Sequence, residues 1–220
     1  MNLFIYHIYS FECIQCQITT VYEKYTLLFD FLGIVLTILI IIIAIWGERF
    51  RQFWNKPKIK ISLDEPRFNT TNSGIKGWYY LIRISNVKKS SPANNVRLLL
   101  TRVQKKGPDG NWREKNFSGP TQVMWQWPEI SPLYATVGPD ERATFGFILE
   151  DTTEFKLQLY WFPNNLDKVI PPNEPTRLIF KAVSDTAESN ILIIEIAWDG
   201  KWLEGILEIQ EHCILKEVTA

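Results

Sequence analysis

Residues 78–86 read WYYLIRISN, and they decide what kind of body the chain builds. Side chains in a strand alternate from face to face, so Tyr80, Ile82 and Ile84 lie on one side while Leu81, Arg83 and Ser85 lie on the other. That is a sheet strand with a core face and a wetter face. Residues 176–183 repeat the logic, with Leu178, Phe180 and Ala182 opposite Arg177, Ile179 and Lys181. Working outward, short β-branched and aromatic runs cover 58–63, 93–104, 111–115, 123–126, 142–150, 154–161, 191–198 and 201–209. Turn clusters separate them. Pro108-Asp109-Gly110 and Asp199-Gly200 mark hairpin turns, each supplying a glycine where positive φ is needed. With no long helical periodicity beyond residue 57, this punctuation predicts an all-β sandwich.

The chain ahead of that region differs in kind. From Tyr25 to Trp46 it is an isoleucine-rich apolar run whose one charge is Asp30, near its start. At ~1.5 Å of rise per residue, roughly 22 residues make about 33 Å of helix, enough for the ~30 Å hydrocarbon core of a bilayer. We therefore expect one transmembrane helix over 25–46. Arg49, Arg51, Lys56, Lys58 and Lys60 follow it against the single acid Glu48, whereas Glu12, Glu23 and Lys24 precede it. The positive-inside bias then puts the C-terminal domain in the cytoplasm and the N-terminus outside the plasma (inner) membrane. Trp46, Phe50, Phe53 and Trp54 follow a helical repeat, so the helix is expected to continue over 47–56 with these aromatics at headgroup level. Arg49 and Arg51 would face lipid phosphates. Lys56 precedes Pro57 and is pushed out of the α region, which ends the helix.

The organisation predicted is thus a stub over 1–24, the span, its juxtamembrane extension, a sandwich over 57–211 and a tail over 212–220. About 160 residues beyond the anchor are enough for one ordinary domain with a real core. Lysine plus arginine number 24, as do aspartate plus glutamate, so the chain lacks the basic surplus that phosphate neutralisation demands of a nucleic-acid binder. No nucleic acid is expected as a partner. Three cysteines, Cys13, Cys16 and Cys213, are too few for a disulfide-built domain. Cys13 and Cys16 have redox or metal spacing, but a zinc site needs two more ligands and only His7 is near. They read as small apolar residues at a membrane surface.

One resemblance joins these pieces. A strand ending in Asn86, a Lys/Ser turn, then Ala93-x-x-Val96, together with the single helix, Pro57-Lys-x-Lys-Ile and Trp198-Asp-Gly-Lys-Trp202, is similar to a known group. These are prokaryotic single-pass membrane proteins of uncharacterised activity that carry an Ig-like β-sandwich of the cell-adhesion-related type. The likeness spans most of 25–205 and implies a fold and a location only.

Chemistry is sparse. Beyond the anchor the histidine is His212, adjacent to Cys213, and neighbours on a strand point to opposite faces, which makes a poor dyad. No phosphate loop, His-Glu-x-x-His or serine elbow occurs, so neither catalysis nor a cofactor is expected. Glu150, Asp151, Glu154, Asp64 and Glu65 are carboxylates that read as solvated turn residues, calcium between strands being the sharper alternative. The aromatics Trp125, Trp127 and Trp161 are the candidates for partner binding, with core filling the competing reading for at least one of the pair Trp125 and Trp127. Gly33 and Thr37, four apart in the span, make a small-xxx-small spacing on which helices pack into a homo-oligomer.

Three functions fit. The first is a membrane-anchored, non-enzymatic interaction, scaffold or sensor module that engages lipid and a protein partner. The second is an oligomerising membrane effector of a prokaryotic defence system. The third, with reversed topology, is an outward-facing adhesion or sugar-binding domain.

Overall fold

The computed structural model describes residues 25–26, 28–47, 56–88, 91–126, 135–138 and 140–218. The chain divides into two compact units, Met1–Asn55 and Lys56–Ala220. In the first, helix α1 (Leu28–Gly47) is 20 residues long and apolar enough to cross a membrane. Its large side chains are exposed along its length.

The second unit is mostly β. Its elements are β1 (Ile59–Leu63), β2 (Arg67–Thr70), β3 (Lys76–Asn86), β4 (Ala93–Lys106), β5 (Trp112–Lys115), β6 (Thr121–Gln122) and β7 (Met124–Trp125). There follow β8 (Ala135–Val137), β9 (Glu141–Leu149), β10 (Phe155–Leu157), β11 (Val169–Ile170), β12 (Thr176–Val183), β13 (Glu188–Trp198), α2 (Ile206–His212) and β14 (Cys213–Val218). One sheet runs β1-β3-β9-β10-β11, with β2 also on β3 and β7 also on β9. The other runs β14-β13-β12-β4-β5, with β6 and β8 also on β4. Every pairing described is antiparallel.

The inner faces carry the alternating apolar residues, and both sheets contribute to one core. Phe145 of β9 meets Phe180 of β12 edge-on with centroids 5.4 Å apart, which fixes the two sheets face to face. Near one end the chain changes sheets within five residues: β6 pairs with β4, β7 pairs with β9, and Val123 between them donates its N–H to Leu98 O at 2.9 Å. Thus one segment ties both layers.

A β-bulge sets the interior next to the site described below. Tyr80 pairs with Gly146 and Leu81 with Thr144, leaving Phe145 as an extra residue in β9. The bulge turns Phe145 inward and breaks the simple alternation, so Ala143, Thr144, Phe145 and Gly146 are all buried. Gly146 is required by close approach: a Cβ there would lie 2.2 Å from Cε1 of Phe155. The Phe155 ring fills that space, and Tyr80 packs on it with centroids 5.1 Å apart.

The alternation read in β3 and β12 holds for their inner faces, and Gly110 adopts φ +79° in the β4–β5 turn. Two adjustments appear on the outer faces, where Leu81 and Ile179 are buried as well. The C-terminal segment corrects the sequence reading. Residues 201–205 are a loop and 206–209 begin α2 rather than forming a strand, and the stretch expected as a tail over 212–220 contains β14, which pairs with β13 from Cys213 opposite Trp198 to Val218 opposite Ile193. The cause is local: Leu207, Glu208, Gln210 and Glu211 favour helix, and the seven-residue helix brings only Ile209 into the core. Gly200 does take φ +92°, but the turn it makes opens that connection rather than a two-residue hairpin. The run expected over 154–161 pairs as β10 only through Leu157, while Leu159 bridges to Val123.

Candidate functional site

The edge of the first sheet is broken at Asp64-Glu65-Pro66. β1 pairs with β3 up to Leu63 opposite Ile82, and β2 resumes at Arg67 opposite Tyr79. Asp64 still donates its N–H to Leu81 O at 3.0 Å, whereas Pro66 has no N–H to offer. The edge is therefore open beside Tyr80.

Across from it stands β14, the edge of the second sheet. Side chains of the second sheet bridge to β1 as far as Leu63, Asn190 from β13 and Glu217 from β14. The Asn190 carboxamide accepts from Ile61 N at 2.9 Å and donates to Ile61 O at 3.0 Å, imitating a neighbouring strand. Glu217 accepts from Leu63 N at 3.3 Å. Such contacts occupy backbone groups that an uncovered edge would leave for another chain. Where they stop, a cavity of about 500 Å³ opens.

Leu63, Tyr80, Cys213 and Leu215 give the cavity apolar walls, and Asp64, Glu65 and Glu217 stand around it. Tyr80 is 3 % exposed. Its hydroxyl is closed off from solvent, and its polar neighbour is the Cys213 thiol, a weak hydrogen-bonding partner. Burial pushes the Tyr80 phenol up, and it raises the Cys213 thiol to about 12, with Tyr80 opposing this and the Asp199 charge adding to it. A thiol held protonated is a weak nucleophile.

His212 turns away from Cys213. Its Nδ1 lies 2.6 Å from Asp199 Oδ2, outside the core, so the adjacent imidazole and thiol serve different faces. The carboxylate cluster is likewise occupied: Asp64 accepts from Arg83 Nη2 at 3.0 Å and from Arg142 Nε at 2.6 Å. Burial raises the Asp64 pKa, but these guanidinium groups and the Glu65 backbone N–H outweigh it and hold the carboxyl below its ordinary value. Among the described residues no three His, Cys, Asp or Glu side chains are grouped for a metal ion.

The residues singled out in the sequence separate. Trp125 is 4 % exposed and belongs to the core, whereas Trp161 is 46 % exposed beside Tyr160. Trp127 lies outside the described residues, as do Arg49, Phe50, Arg51, Phe53 and Trp54, and the stub with Cys13 and Cys16. Trp46 is an exposed residue of α1. Thr37 Oγ1 donates to Gly33 O at 2.8 Å, and nothing lies within 4 Å of a Cβ placed on Gly33. The motif at 198–202 has a structural use: Trp198 Nε1 donates to Thr153 O at 2.9 Å, and Gly200 sits against Pro172.

Sequence reasoning missed the cleft. The signal for half of it was present, because Asp64-Glu65-Pro66 interrupts an edge strand, but nothing marks Glu217 as its partner. Comparison with protein-family models gave no match, and comparison with curated proteins gave none either. The class defined here rests on the fold itself: a body of two antiparallel sheets following an apolar helix of membrane-spanning length.

Proposed function

We propose that the chain is a membrane-anchored, non-enzymatic interaction or sensor module. In this reading α1 is a single pass through the plasma (inner) membrane, with the N-terminus outside and an Ig-like sandwich in the cytoplasm. The observation that carries it is a 20-residue apolar helix followed by a body of two antiparallel sheets in which the histidine and the buried cysteine are not set against each other. Burial raises the Cys213 thiol to about 12, which favours its protonated form, and His212 faces Asp199 instead.

The test is fractionation followed by protease accessibility. The full chain should stay in the membrane fraction through carbonate washing and require detergent for release. Protease should reach the β domain in inverted vesicles but not in intact spheroplasts. Release without detergent removes the anchor; digestion in spheroplasts reverses the orientation and favours the adhesion reading.

The effector reading draws on one further observation. Because Thr37 spends its hydroxyl on Gly33 O, the Gly33 surface offers close packing without an interhelical hydrogen bond. Crosslinking in membranes that traps dimers in the native chain but not in Gly33→Ile supports it; monomers throughout remove it.

A further inference from the structure

We propose that the end of the β domain where β1 begins docks on anionic lipid headgroups, with Lys58, Lys60 and Lys88 toward the phosphates and Val87 entering the surface beside them. The inference goes beyond the reading above and rests on α1 being a span.

Asn86 builds this end. It is 4 % exposed, and its carboxamide oxygen accepts from Lys58 N and from Lys88 N, both at 3.2 Å, while its nitrogen donates to Ser91 O at 2.5 Å. Val87 N donates to Lys58 O at 2.8 Å, and Ser91 N to Lys88 O at 3.3 Å. The entry to β1 and the turn leaving β3 are thereby fastened into one surface, because a buried and satisfied polar side chain fixes the backbone around it.

That surface combines charge with an apolar tip. Val87 is 56 % exposed, although Pro57, Ile59 and Asn86 are buried. Lys58 and Lys60 are exposed and Lys88 is half-buried. The acids at this end are engaged: Asp140 lies 3.7 Å from Arg83 and 3.9 Å from Arg142, Glu188 pairs with Lys181, and Asp185 is held by Asn95. A dissolved anion would use the lysines and leave Val87 in water. A lipid surface uses both.

Placement decides the occupant. Ile59 pairs with Asn86, so the lysines stand at the end where the chain enters the domain. Only residues 48–55 lie between Gly47 and Lys56 in the sequence, and so short a tether presents a bilayer at high local concentration. Each lysine near an anionic leaflet is worth roughly fivefold in the docked-to-free ratio.

The experiment places the full chain, with labelled leucine and valine methyl groups, in nanodiscs that carry a headgroup spin label. Discs containing phosphatidylglycerol are compared with discs of phosphatidylcholine alone. Val87 and Leu207 are assigned by the loss of their signals in Val87→Ala and Leu207→Ala. Leu207, 75 % exposed and reached from the opposite end of β13, is the reference. Paramagnetic broadening at Val87 should be at least about fivefold greater in the anionic discs, should fall at 1 M salt, where charges are screened beyond ~3 Å, and should leave Leu207 sharp. Lys58→Gln, Lys60→Gln and Lys88→Gln together should lower the docked-to-free ratio by roughly a hundredfold, with Leu207 unshifted as the sign of an intact fold.

Equal broadening in neutral and anionic discs reports the tether alone and overturns the proposal, as does an unchanged triple variant. Val87 signals that move with inorganic phosphate in neutral discs, without broadening in anionic ones, make this a site for a free anion and overturn lipid docking. A chain held in the discs with Val87 sharp sinks the docking and spares the anchor. A chain that stays outside the discs removes the anchor itself.

Discussion

Replacing Tyr80 by phenylalanine isolates a single oxygen atom. The ring is 3 % exposed and packs on Phe155 at 5.1 Å, contacts that phenylalanine retains. What disappears is a buried hydroxyl whose polar neighbour is only the weakly bonding Cys213 thiol. Leaving such a group unsatisfied costs about 1–3 kcal/mol, against which the loss of a weak contact with the Cys213 thiol is small. Tyr80→Phe should therefore stabilise the β domain by about 1 kcal/mol, or roughly 2–4 °C for a domain of this size. The assay is thermal and urea unfolding of the full chain in mild detergent, followed by near-ultraviolet circular dichroism, which reports the packed aromatics of the β domain. Tyr80→Ala serves as the contrast and should cost about 3–5 kcal/mol by opening a cavity under Phe155. If Tyr80→Phe instead destabilises by more than about 1 kcal/mol, the hydroxyl has a partner and the account of the cleft fails.

Other expected outcomes follow from neighbouring geometry. Gly146→Ala places a Cβ 2.2 Å from the Phe155 ring and should lower stability by about 1–3 kcal/mol in the same unfolding assay, with no effect if the bulge relaxes. The Asp64 carboxyl has a folded pKa below its unfolded value of about 3.9, so its contribution is complete above that pH and is lost as pH falls through the folded pKa. Unfolding midpoints measured between about pH 5 and 2 should consequently fall more steeply for the native chain than for Asp64→Asn; parallel curves would refute the role of Arg83 and Arg142. Ile38→Arg near the middle of α1 costs about 2.5–3.5 kcal/mol of insertion and should shift chain from the carbonate-resistant membrane fraction, unless the helix is not a span.

Local periodicity made some of this legible. The strand at 78–86 showed its inner face because Tyr80, Ile82 and Ile84 recur at the strand period, and that face is buried. Glycine at 110 marked its turn because only positive φ closes it. At 201–218 the same kind of reading failed. Leucine and isoleucine in short order look alike in a strand and in a short helix, and only burial of Ile209 with β14 paired to β13 separates them.

What the sequence determined by itself is whatever depends on neighbours along the chain: an apolar stretch long enough for a bilayer, alternation in β3 and β12, and glycine turns. What the tertiary structure decided is whatever depends on residues far apart. Phe145 becomes a bulge only because β3 fixes the register of β9, and Trp125 joins the core while Trp161 stays outside. The cleft brings Glu65 and Tyr80 together with Cys213 and Glu217, more than 120 positions away in the chain. No periodicity carries such information, because the pairing of edges is settled by the packing of two whole sheets.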